Sequence, residues 1–513
     1  MGSQAITDTE FQLLIGQRAQ TLLGLASYLS NCQKTRDVMT RPFIGELHSQ
    51  SMQIEELLDT YDARNNCRWC PFRALTAALK LFSDVSYELV HIEHALPSYR
   101  LLPIEQDFVR ETEQALGFTG DVLLRAAKEI IVRARQLDLP IPSENLREES
   151  YSEQLPPGRL PRDCGIRRTG TASETVTMLA TAFLNLAADS SDVRAASRAK
   201  PEEYACYVSD SVSEEKLRNL ELRFHNLQSL YDTFVSGTEV EKLDTDLPVL
   251  RGHISVVFHL LRTATSLAHY YERHATKRPC ETPTRLEPVV EPRALLETLM
   301  SYSVTHISLY LGCAEHLCQE MLKRYAEVGR IDVCVPRYRG FHVRPSTLIA
   351  KLVLHYGSEV HMELNGESYD ASSALELFRA NEKINAQKRR WLAAEICRLK
   401  LATEGLIEKD FRAAVRDVVL ALAEHSKLIL YEQPLQLPDE PASKEGTLLE
   451  KVMDEMARLL ALGKIDVDTE LTATFVGDKR VLADITLLAE CGYGEDNFGN
   501  NIPLPKKLVY LRR

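Results

Sequence analysis

Apolar residues recur at helical spacing through most of the first 328 residues. This spacing predicts amphipathic helices. The helical segments fall in two groups, at about 10–138 and 173–327, and a polar stretch rich in proline and arginine separates them. We therefore predict one helical bundle at 1–140, an exposed linker at 141–171 and a second bundle at 172–328. Each bundle is expected to be of the four-helix type.

The two helical groups resemble each other. Residues 58–61 (Leu-Asp-Thr-Tyr) have a counterpart at 231–234 (Tyr-Asp-Thr-Phe). Arg73 and Arg251 each begin a helical segment with a histidine at the same interval, which is His91 in the first group and His269 in the second. These matches predict that the second bundle is a duplication of the first.

The pattern changes near residue 331. Residues 332–336 and 359–364 have strand character, Asn365-Gly366 is typical of a two-residue hairpin turn, and 346–356 and the segment from 373 are helical. A helical insertion is predicted at about 379–426, with a solvent-exposed run at 388–390. A strand at 427–431 and a helix at 444–462 follow. The last segment, 464–513, is predicted to be a small antiparallel β extension with strands at 465–475, 481–488 and 508–511.

Composition narrows the possible partners. The chain is 44% hydrophobic and 26% charged, as in ordinary globular proteins, and its net charge of −12 argues against nucleic acid or an anionic membrane as the main partner. No apolar run reaches the roughly 18 residues of a membrane span, and the N-terminus lacks the pattern of a signal peptide. The eleven scattered cysteines favour reduced thiols. We expect a cytoplasmic protein.

The strongest candidate site is the segment 340–346 (Gly-Phe-His-Val-Arg-Pro-Ser). It places His342 immediately before a helix, and Arg344 lies within the first turn. A helix start offers unpaired amides and a positive dipole to an anion, and arginine adds charged hydrogen bonds. Imidazole is nucleophilic near neutral pH. We predict a phosphoryl acceptor at His342, stabilised by Arg344, with phosphate contacts from three neighbours: Val343, Ser346 and Thr347.

This segment, the helix after it, the Asn365-Gly366 turn and residues 371–375 together resemble HPr, the histidine-containing phosphocarrier family of the bacterial sugar phosphotransferase system. The resemblance implies an open sandwich of four antiparallel strands under three helices at about 331–462, here interrupted by the helical insertion. The strand at 427–431 and the helix at 444–462 would then be its displaced final strand and final helix. It also implies that His342 carries the phosphoryl group, that Arg344 stabilises it and that Ser373 is a regulatory serine. Its implied partners are an enzyme I-type phosphoryl donor and a protein acceptor. On this hypothesis the chain is a phosphocarrier without a cofactor or independent turnover.

Two alternatives remain open. The HPr-like segment can serve only as a binding module of an assembly protein, with the bundles forming a homo-oligomer. Alternatively, the helical region is a metal or ligand sensor. A candidate zinc set for this sensor combines Cys67 and Cys70 with His91 and His94, and a candidate histidine set comprises His253, His259 and His269. Loop cysteines and satisfied helix histidines are the simpler interpretation of these residues.

Overall fold

A computed structural model describes residues 6–32, 35–142, 151–153, 160, 171–275, 289–398, 410–425, 427–432, 434–441, 445–467 and 471–512. The chain divides into two compact units, Met1–Cys318 and Gln319–Arg513. The predicted mainly helical chain with an antiparallel sheet in its last third is confirmed. None of the helices in the described part of the chain is long and apolar enough to cross a membrane.

The first unit is built from helices. Its α-helices are α1 Asp8–Arg18, α2 Gln20–Asn31, α3 Thr35–Val38, α4 Arg41–Thr60, α5 Cys70–Ala95, α6 Phe108–Gln136, α7 Ala172–Asp189, α8 Ser191–Ala196, α9 Tyr204–Val208, α10 Glu214–Phe234, α11 Glu239–Leu243, α12 Leu247–Tyr270 and α13 Pro292–Glu297. The next helix, α14 Thr305–Arg324, begins in this unit and continues beyond its last residue, Cys318. Short 3-10 helices lie at Ala63–Asn65, Leu96–Ser98 and Pro201–Glu203, and π-helical turns at Tyr271–Ala275 and Thr298–Val304.

Helix starts in this unit follow from local sequence. Thr7 precedes α1, and its hydroxyl accepts the Glu10 amide at 3.3 Å while the Glu10 carboxylate accepts the Thr7 amide at 3.0 Å. Thr171 and Glu174 form the same reciprocal cap before α7. Such capping boxes satisfy amides that have no partner within the helix.

The first predicted bundle, and the second up to Cys318, lie within this one unit. In the first half α5 packs between α4 and α6, in the second half α12 packs against α10, and α5 also packs on α12. Most of the predicted linker, 141–171, lies outside the described residues. Within it, Tyr151 donates to Glu46 at 3.0 Å and Glu153 pairs with Arg41 at 2.9 Å. The described part of this segment therefore packs against α4 of the first half.

Each half contains one matching ion pair. Arg73 forms two hydrogen bonds to Asp59, at 2.8 and 2.6 Å, and Arg251 forms two to Asp232, both at 2.7 Å. Arg262 and Asp84, which are in contact at 3.2 Å, are 178 residues apart, the same interval that separates the two arginines. Such a contact is expected where equivalent helices of a repeat face each other. The duplication remains a prediction, and these contacts are consistent with it.

The second unit combines strands and helices. The strands are β1 Val328–Cys334, β2 Val360–Leu364, β3 Glu367–Asp370, β4 Leu428–Leu430, β5 Ile465–Val467 and β6 Thr472–Asp478, and the helices are α15 Val343–Tyr356, α16 Ala374–Arg398, α17 Phe411–Glu424, α18 Leu448–Ala461 and α19 Lys479–Glu490. Short 3-10 helices follow at Gly492–Gly494 and Lys506–Arg512. Asn365 and Gly366 have φ values of 52° and 84°, as the predicted turn requires.

Four strands form one antiparallel sheet in the order β1-β6-β2-β3. Phe475 of β6 lies opposite Ile331 of β1 and Met362 of β2, so the hydrophobic side chains of the three strands are in register. Helix α19 packs on β1 and β6, α16 packs on β3, and α15 contacts both helices. The sheet thus brings the start of α15 close to the end of β1.

The predicted final strand and helix are wrong. Strand β4, within the predicted strand at 427–431, pairs with β5 in a separate two-stranded sheet, and α18 packs with α17 around the insertion's own apolar cluster. The insertion therefore extends from the end of α16 to β6. Strand β6 takes the inner position of the four-stranded sheet instead. The local alternation of 428–430 and 472–478 is similar, and only long-range pairing decides which segment joins this sheet.

The predicted β extension at 464–513 is wrong. The predicted strand at 465–475 is divided between β5, which pairs with β4, and β6, which lies inside the four-stranded sheet. The two predicted strands after residue 478 are helical. The segment 481–488 is part of α19, because Val481, Leu482, Ile485 and Leu488 are buried at helical spacing. Asp478 caps this helix by accepting the Arg480 amide at 2.9 Å. The segment 508–511 lies in the 3-10 helix Lys506–Arg512.

The prediction that residues 388–390 are all exposed to solvent is wrong for Lys388. Lys388 Nζ lies 2.7 Å from Asp466 Oδ1, and the two side chains are 4% and 2% exposed. Asp466 also accepts the amides of Arg339 at 3.2 Å and Val467 at 2.7 Å. These partners together compensate the cost of burying the charges of Lys388 and Asp466. This pair connects α16, the insertion and the loop before His342.

We expect Lys388→Met to lower the free energy of unfolding by about 3–5 kcal/mol, because it leaves the Asp466 carboxylate buried without its cation. Urea unfolding followed by near-UV circular dichroism measures this loss. Arg389→Met removes the same kind of charge from an exposed neighbour and should change stability by less than about 0.5 kcal/mol. Equal effects of the two changes would contradict the assignment.

Candidate functional site

The loop that carries His342 is fixed by its backbone. Arg339 and Gly340 have φ values of 55° and 64°, in the left-handed region. A side chain at position 340 would collide with the Asn381 side-chain oxygen, and the Asn381 amide donates to the Arg339 carbonyl at 3.0 Å. Glycine is therefore required at this close approach. Phe341, fully buried, packs on Phe475 of β6 with ring centroids 6.3 Å apart.

His342 is the residue that precedes α15, as predicted. Its carbonyl accepts the Ser346 amide at 3.2 Å, and the Ser346 hydroxyl donates to the Phe341 carbonyl at 2.7 Å. The Thr347 hydroxyl donates to the Val343 carbonyl at 2.7 Å. Ser346 and Thr347, two of the three residues predicted to contact phosphate, thus donate their hydroxyl groups to backbone carbonyls of the loop and helix. Within the described residues the Val343 amide has no acceptor, so it stays open to an anion.

Both ring nitrogens of His342 face oxygen acceptors. Nδ1 lies 3.0 Å from the Gly340 carbonyl oxygen, and Nε2 lies 3.2 Å from Glu495 Oε2. The imidazole is one-fifth exposed and contacts the edge of the Tyr338 ring. The Nδ1 contact with a carbonyl oxygen requires a proton on Nδ1. The Nε2 contact is an ion pair only when the ring carries a second proton, and Nε2 then has no free lone pair.

Glu495 is the acidic partner of the site. Burial raises the pKa of its carboxyl, and the charges of His342 and Arg344 oppose this rise. The carboxylate therefore lies in the field of both residues that were predicted to hold a phosphoryl group. The Glu495 carboxylate thus supplies beside His342 and Arg344 the negative charge that a bound anion would otherwise provide.

Arg344 has one donor in use and one without a partner. Its Nη1 donates to the Asn501 side-chain oxygen. Its Nε is buried and has no hydrogen-bond partner among the described residues. A buried guanidinium donor without an acceptor is unusual in a folded protein and is suited to an oxygen of a bound anion.

A loop near the C-terminus supplies Glu495 and Asn501. The two residues form an isolated antiparallel bridge, and the Asp496 carboxylate accepts the amides of Phe498 at 2.8 Å and Asn500 at 2.9 Å. Tyr493 fastens this loop to β1 by donating to the Cys334 carbonyl at 2.7 Å. A pocket of about 220 Å³ lies beside Glu495 and is lined by this loop and by residues 334–338.

Sequence reasoning missed both Glu495 and Asn501. They are more than 150 residues from His342 along the chain. The available signal was the density of glycine, aspartate and asparagine at 492–501, which is typical of an ordered loop and does not indicate its partner.

Ser373, the serine implied to be regulatory, lies at the start of α16. Its hydroxyl accepts the Glu376 amide at 3.3 Å, so it acts as a helix cap. A regulatory role for Ser373 stays a prediction.

We compared the chain with models of protein families, with curated proteins and with solved structures, and found no match in any of the three.

The predicted zinc set is not assembled. Cys70 begins α5, whereas His91 and His94 lie in its last two turns, which places the pairs roughly 30 Å apart at 1.5 Å per residue. His94 Nε2 lies 3.3 Å from Glu153 instead. Among the described residues no group of three or more His, Cys, Asp or Glu side chains is placed to hold a metal ion.

His91 and His259 instead belong to a polar cluster between α5 and α12. Their ring centroids are 4.2 Å apart, and His259 Nδ1 lies 2.6 Å from Glu88, which also pairs with Arg262 at 2.7 Å. The other two predicted histidines lie elsewhere: His253 accepts the Leu102 amide at 3.3 Å, and His269 lies 2.9 Å from Glu214. The predicted histidine set is therefore divided between three local environments.

Burial, followed by the neighbouring His259, lowers the pKa of His91 to about 4 from 6.5. Between these values the unfolded chain binds more protons than the folded chain, so stability should fall as the pH drops from 6.5 towards 4. We expect His91→Gln to reduce this slope, measured as urea midpoints at pH 7 and pH 5. The matched change His361→Gln, at an exposed position on β2, should leave the slope unaltered. A slope that His91→Gln leaves unchanged would contradict this assignment.

Proposed function

We propose that His342 accepts a phosphoryl group from a protein donor of the enzyme I type and relays or displays it to a partner. The observation that carries the proposal is the arrangement at the start of α15. His342 is followed there by the Val343 amide and by Arg344, whose buried Nε has no hydrogen-bond partner in the described part of the chain. These groups together suit a phosphate dianion.

The sheet topology supports the proposal. An antiparallel sheet in the order β1-β6-β2-β3, with α15 following β1, α16 following β3 and α19 following β6, agrees with the open sandwich that the HPr resemblance implies. The insertion between α16 and β6 leaves the His342 loop and α15 uninterrupted. We propose that it is an addition to an HPr-like domain, which acts in the cytoplasm where a phosphoenolpyruvate-dependent donor is present.

Phosphoryl acceptance requires one ring nitrogen to be released. The Glu495 contact at Nε2 is made by a side chain, whereas the Gly340 contact at Nδ1 is made by the backbone of a fixed loop. Departure of this side chain, with loss of any Nε2 proton to solvent, leaves a lone pair on Nε2. Attack on the donor phosphorus then forms the N–P bond as the donor's own bond to phosphorus breaks, and the donor keeps that electron pair.

A phosphoryl group on His342 carries about two negative charges and would repel the Glu495 carboxylate. Phosphorylation should therefore displace the loop that contains Glu495 and Asn501. This displacement gives the phosphorylated state a surface that a partner can distinguish.

We expect His342→Ala to abolish an acid-labile mass increase of one phosphoryl group after incubation with enzyme I and phosphoenolpyruvate, because no other described histidine lies in such an arrangement. Intact-mass spectrometry measures the adduct. His361→Ala, an exposed histidine on β2, is the matched control and should label like the wild type. Equal labelling of the His342 variant would exclude His342 as the acceptor.

We expect Glu495→Gln to increase the initial rate of labelling several-fold, because the uncharged amide forms no ion pair with the His342 ring. Glu382→Gln removes an exposed carboxylate on α16 and should leave the rate unchanged. A slower rate in Glu495→Gln than in Glu382→Gln would contradict the proposed inhibitory role of Glu495.

The second candidate function is that of a non-catalytic binding module. It is favoured by the contacts of the His342 ring with the Gly340 carbonyl and Glu495, because these contacts give the ring a structural role that needs no phosphoryl chemistry. Absence of labelling in both the wild type and Glu495→Gln, with a donor that labels an ordinary HPr, would select this candidate.

A further inference from the structure

A second charged pocket lies within the first unit, away from the His342 loop along the chain. It has a volume of about 220 Å³ and is formed by the two helical halves together. The first half contributes residues of α4, α5 and the short helix between them, and the second half contributes the end of α12 and the π-helical turn after it. Its lining comprises Glu55, Asp59, Arg64, Arg73, Lys80, His269, Arg273 and His274.

The lining has more cations than carboxylates. Arg73 pairs with both Asp59, at 2.6 Å, and Glu55, at 3.0 Å, and Lys80 pairs with Glu55. Arg64 is exposed and has no ion pair among the described residues. Arg273 is 58% exposed and has only a 3.6 Å contact with Glu214. Two of the four permanent positive charges are thus weakly compensated or uncompensated, although the chain as a whole has a net charge of −12.

The other half of the unit serves as an internal comparison. The Arg73–Asp59 pair has its counterpart in Arg251–Asp232, so this pair is compatible with either half. The additional charges do not recur at the matching intervals from these pairs. Counted from the two aspartates, Gln228 of the second half corresponds to Glu55. Counted from the two arginines, Phe258 of the second half corresponds to Lys80, and Ala95 and Leu96 of the first half correspond to Arg273 and His274. The helical architecture therefore does not require these charges, which indicates a role particular to this pocket.

The surroundings of His274 support a positive potential. Burial, followed by the neighbouring Arg73, His269, Lys80 and Arg64, lowers the pKa of His274 to about 3. The ring stacks on Tyr270, with centroids 5.2 Å apart. Four neighbouring groups thus disfavour another positive charge at this position, and the same groups would favour an anion.

We propose that this pocket binds the phosphate group of a small ligand. Arg64 and Arg273 lie in position to contact phosphate oxygens from the open side, and Lys80 and Arg73 line the interior. The volume suits a phosphorylated metabolite of a few carbons or free phosphate and is below the range usual for drug-sized ligands. Because the ligand contacts both halves, its binding would stabilise the contact between α5 and α12.

Calorimetric titration of the full-length chain at low ionic strength tests this proposal, with glucose 6-phosphate and inorganic phosphate as separate probes. We expect at least one probe to bind and the double variant Arg64→Gln/Arg273→Gln to bind it at least tenfold more weakly. Both substituted side chains are exposed, and thermal unfolding without ligand checks that the variant folds. Arg68→Gln removes the same charge from a nearby exposed position outside the pocket and should bind like the wild type.

A second readout reports the place of binding. Histidine NMR should show the pKa of His274 rising when the probe that binds is added, because the anion offsets the neighbouring cations. Tighter binding of glucose 6-phosphate than of phosphate would assign the pocket to a phosphorylated metabolite, and equal binding would assign it to the phosphate group alone. Failure of both probes to bind, equal weakening in Arg68→Gln, or an unchanged His274 pKa would overturn the proposal. None of these outcomes depends on phosphorylation of His342.

Discussion

The functional interpretation depends on the two oxygen acceptors that face the His342 ring. The Gly340 carbonyl fixes Nδ1 from the backbone, and Glu495 holds Nε2 from a loop distant in sequence. An imidazole confined in this way is oriented but not free to react. The site therefore combines the components of an anion-binding helix start with a carboxylate that occupies the position of the anion. Charge explains this combination, since the carboxylate offsets Arg344 while no phosphoryl group is present.

The insertion is structurally part of this site. Asp466 of β5 accepts the Arg339 amide just before Gly340, and the same carboxylate pairs with Lys388 of α16. A buried ion pair is costly to form and needs additional hydrogen bonds to compensate its desolvation. Here one of those bonds, from the Arg339 amide, comes from the loop that positions His342, and the other comes from the Val467 amide of β5. The inserted segment thus contributes to the geometry of the loop as well as to its own apolar cluster.

Local rules predicted the features that local chemistry determines. The Asn365-Gly366 turn follows from positive φ values, the position of His342 before α15 follows from the proline and the helical pattern after it, and the helices of the first unit follow from their spacing. Strand β6 and the role of Glu495 could not be predicted in this way. The pairing of β6 with β1 and β2, and the approach of Glu495 to His342, are long-range contacts that alternation and turn propensity do not encode.

Two further errors share this origin. Lys388 lies in a run of cations that resembles a solvated helix face, and only the distant Asp466 explains its burial. The cysteine and histidine pairs at the two ends of α5 have the residue types of a zinc site, but a continuous helix keeps them apart. In both cases the residue types were read correctly from the sequence, but the distances between residues in the folded chain decided what those residues do.

The most direct test of this account is the state of the His342 ring itself, observed by ¹⁵N NMR of the unphosphorylated full-length chain with His342→Gln used to assign its signals. We predict that both ring nitrogens are hydrogen bonded in the wild type and that Glu495→Gln changes the signal of Nε2 while Nδ1 keeps its proton. A ring nitrogen with a free lone pair in the wild type, or an Nε2 signal insensitive to Glu495→Gln, would contradict the account.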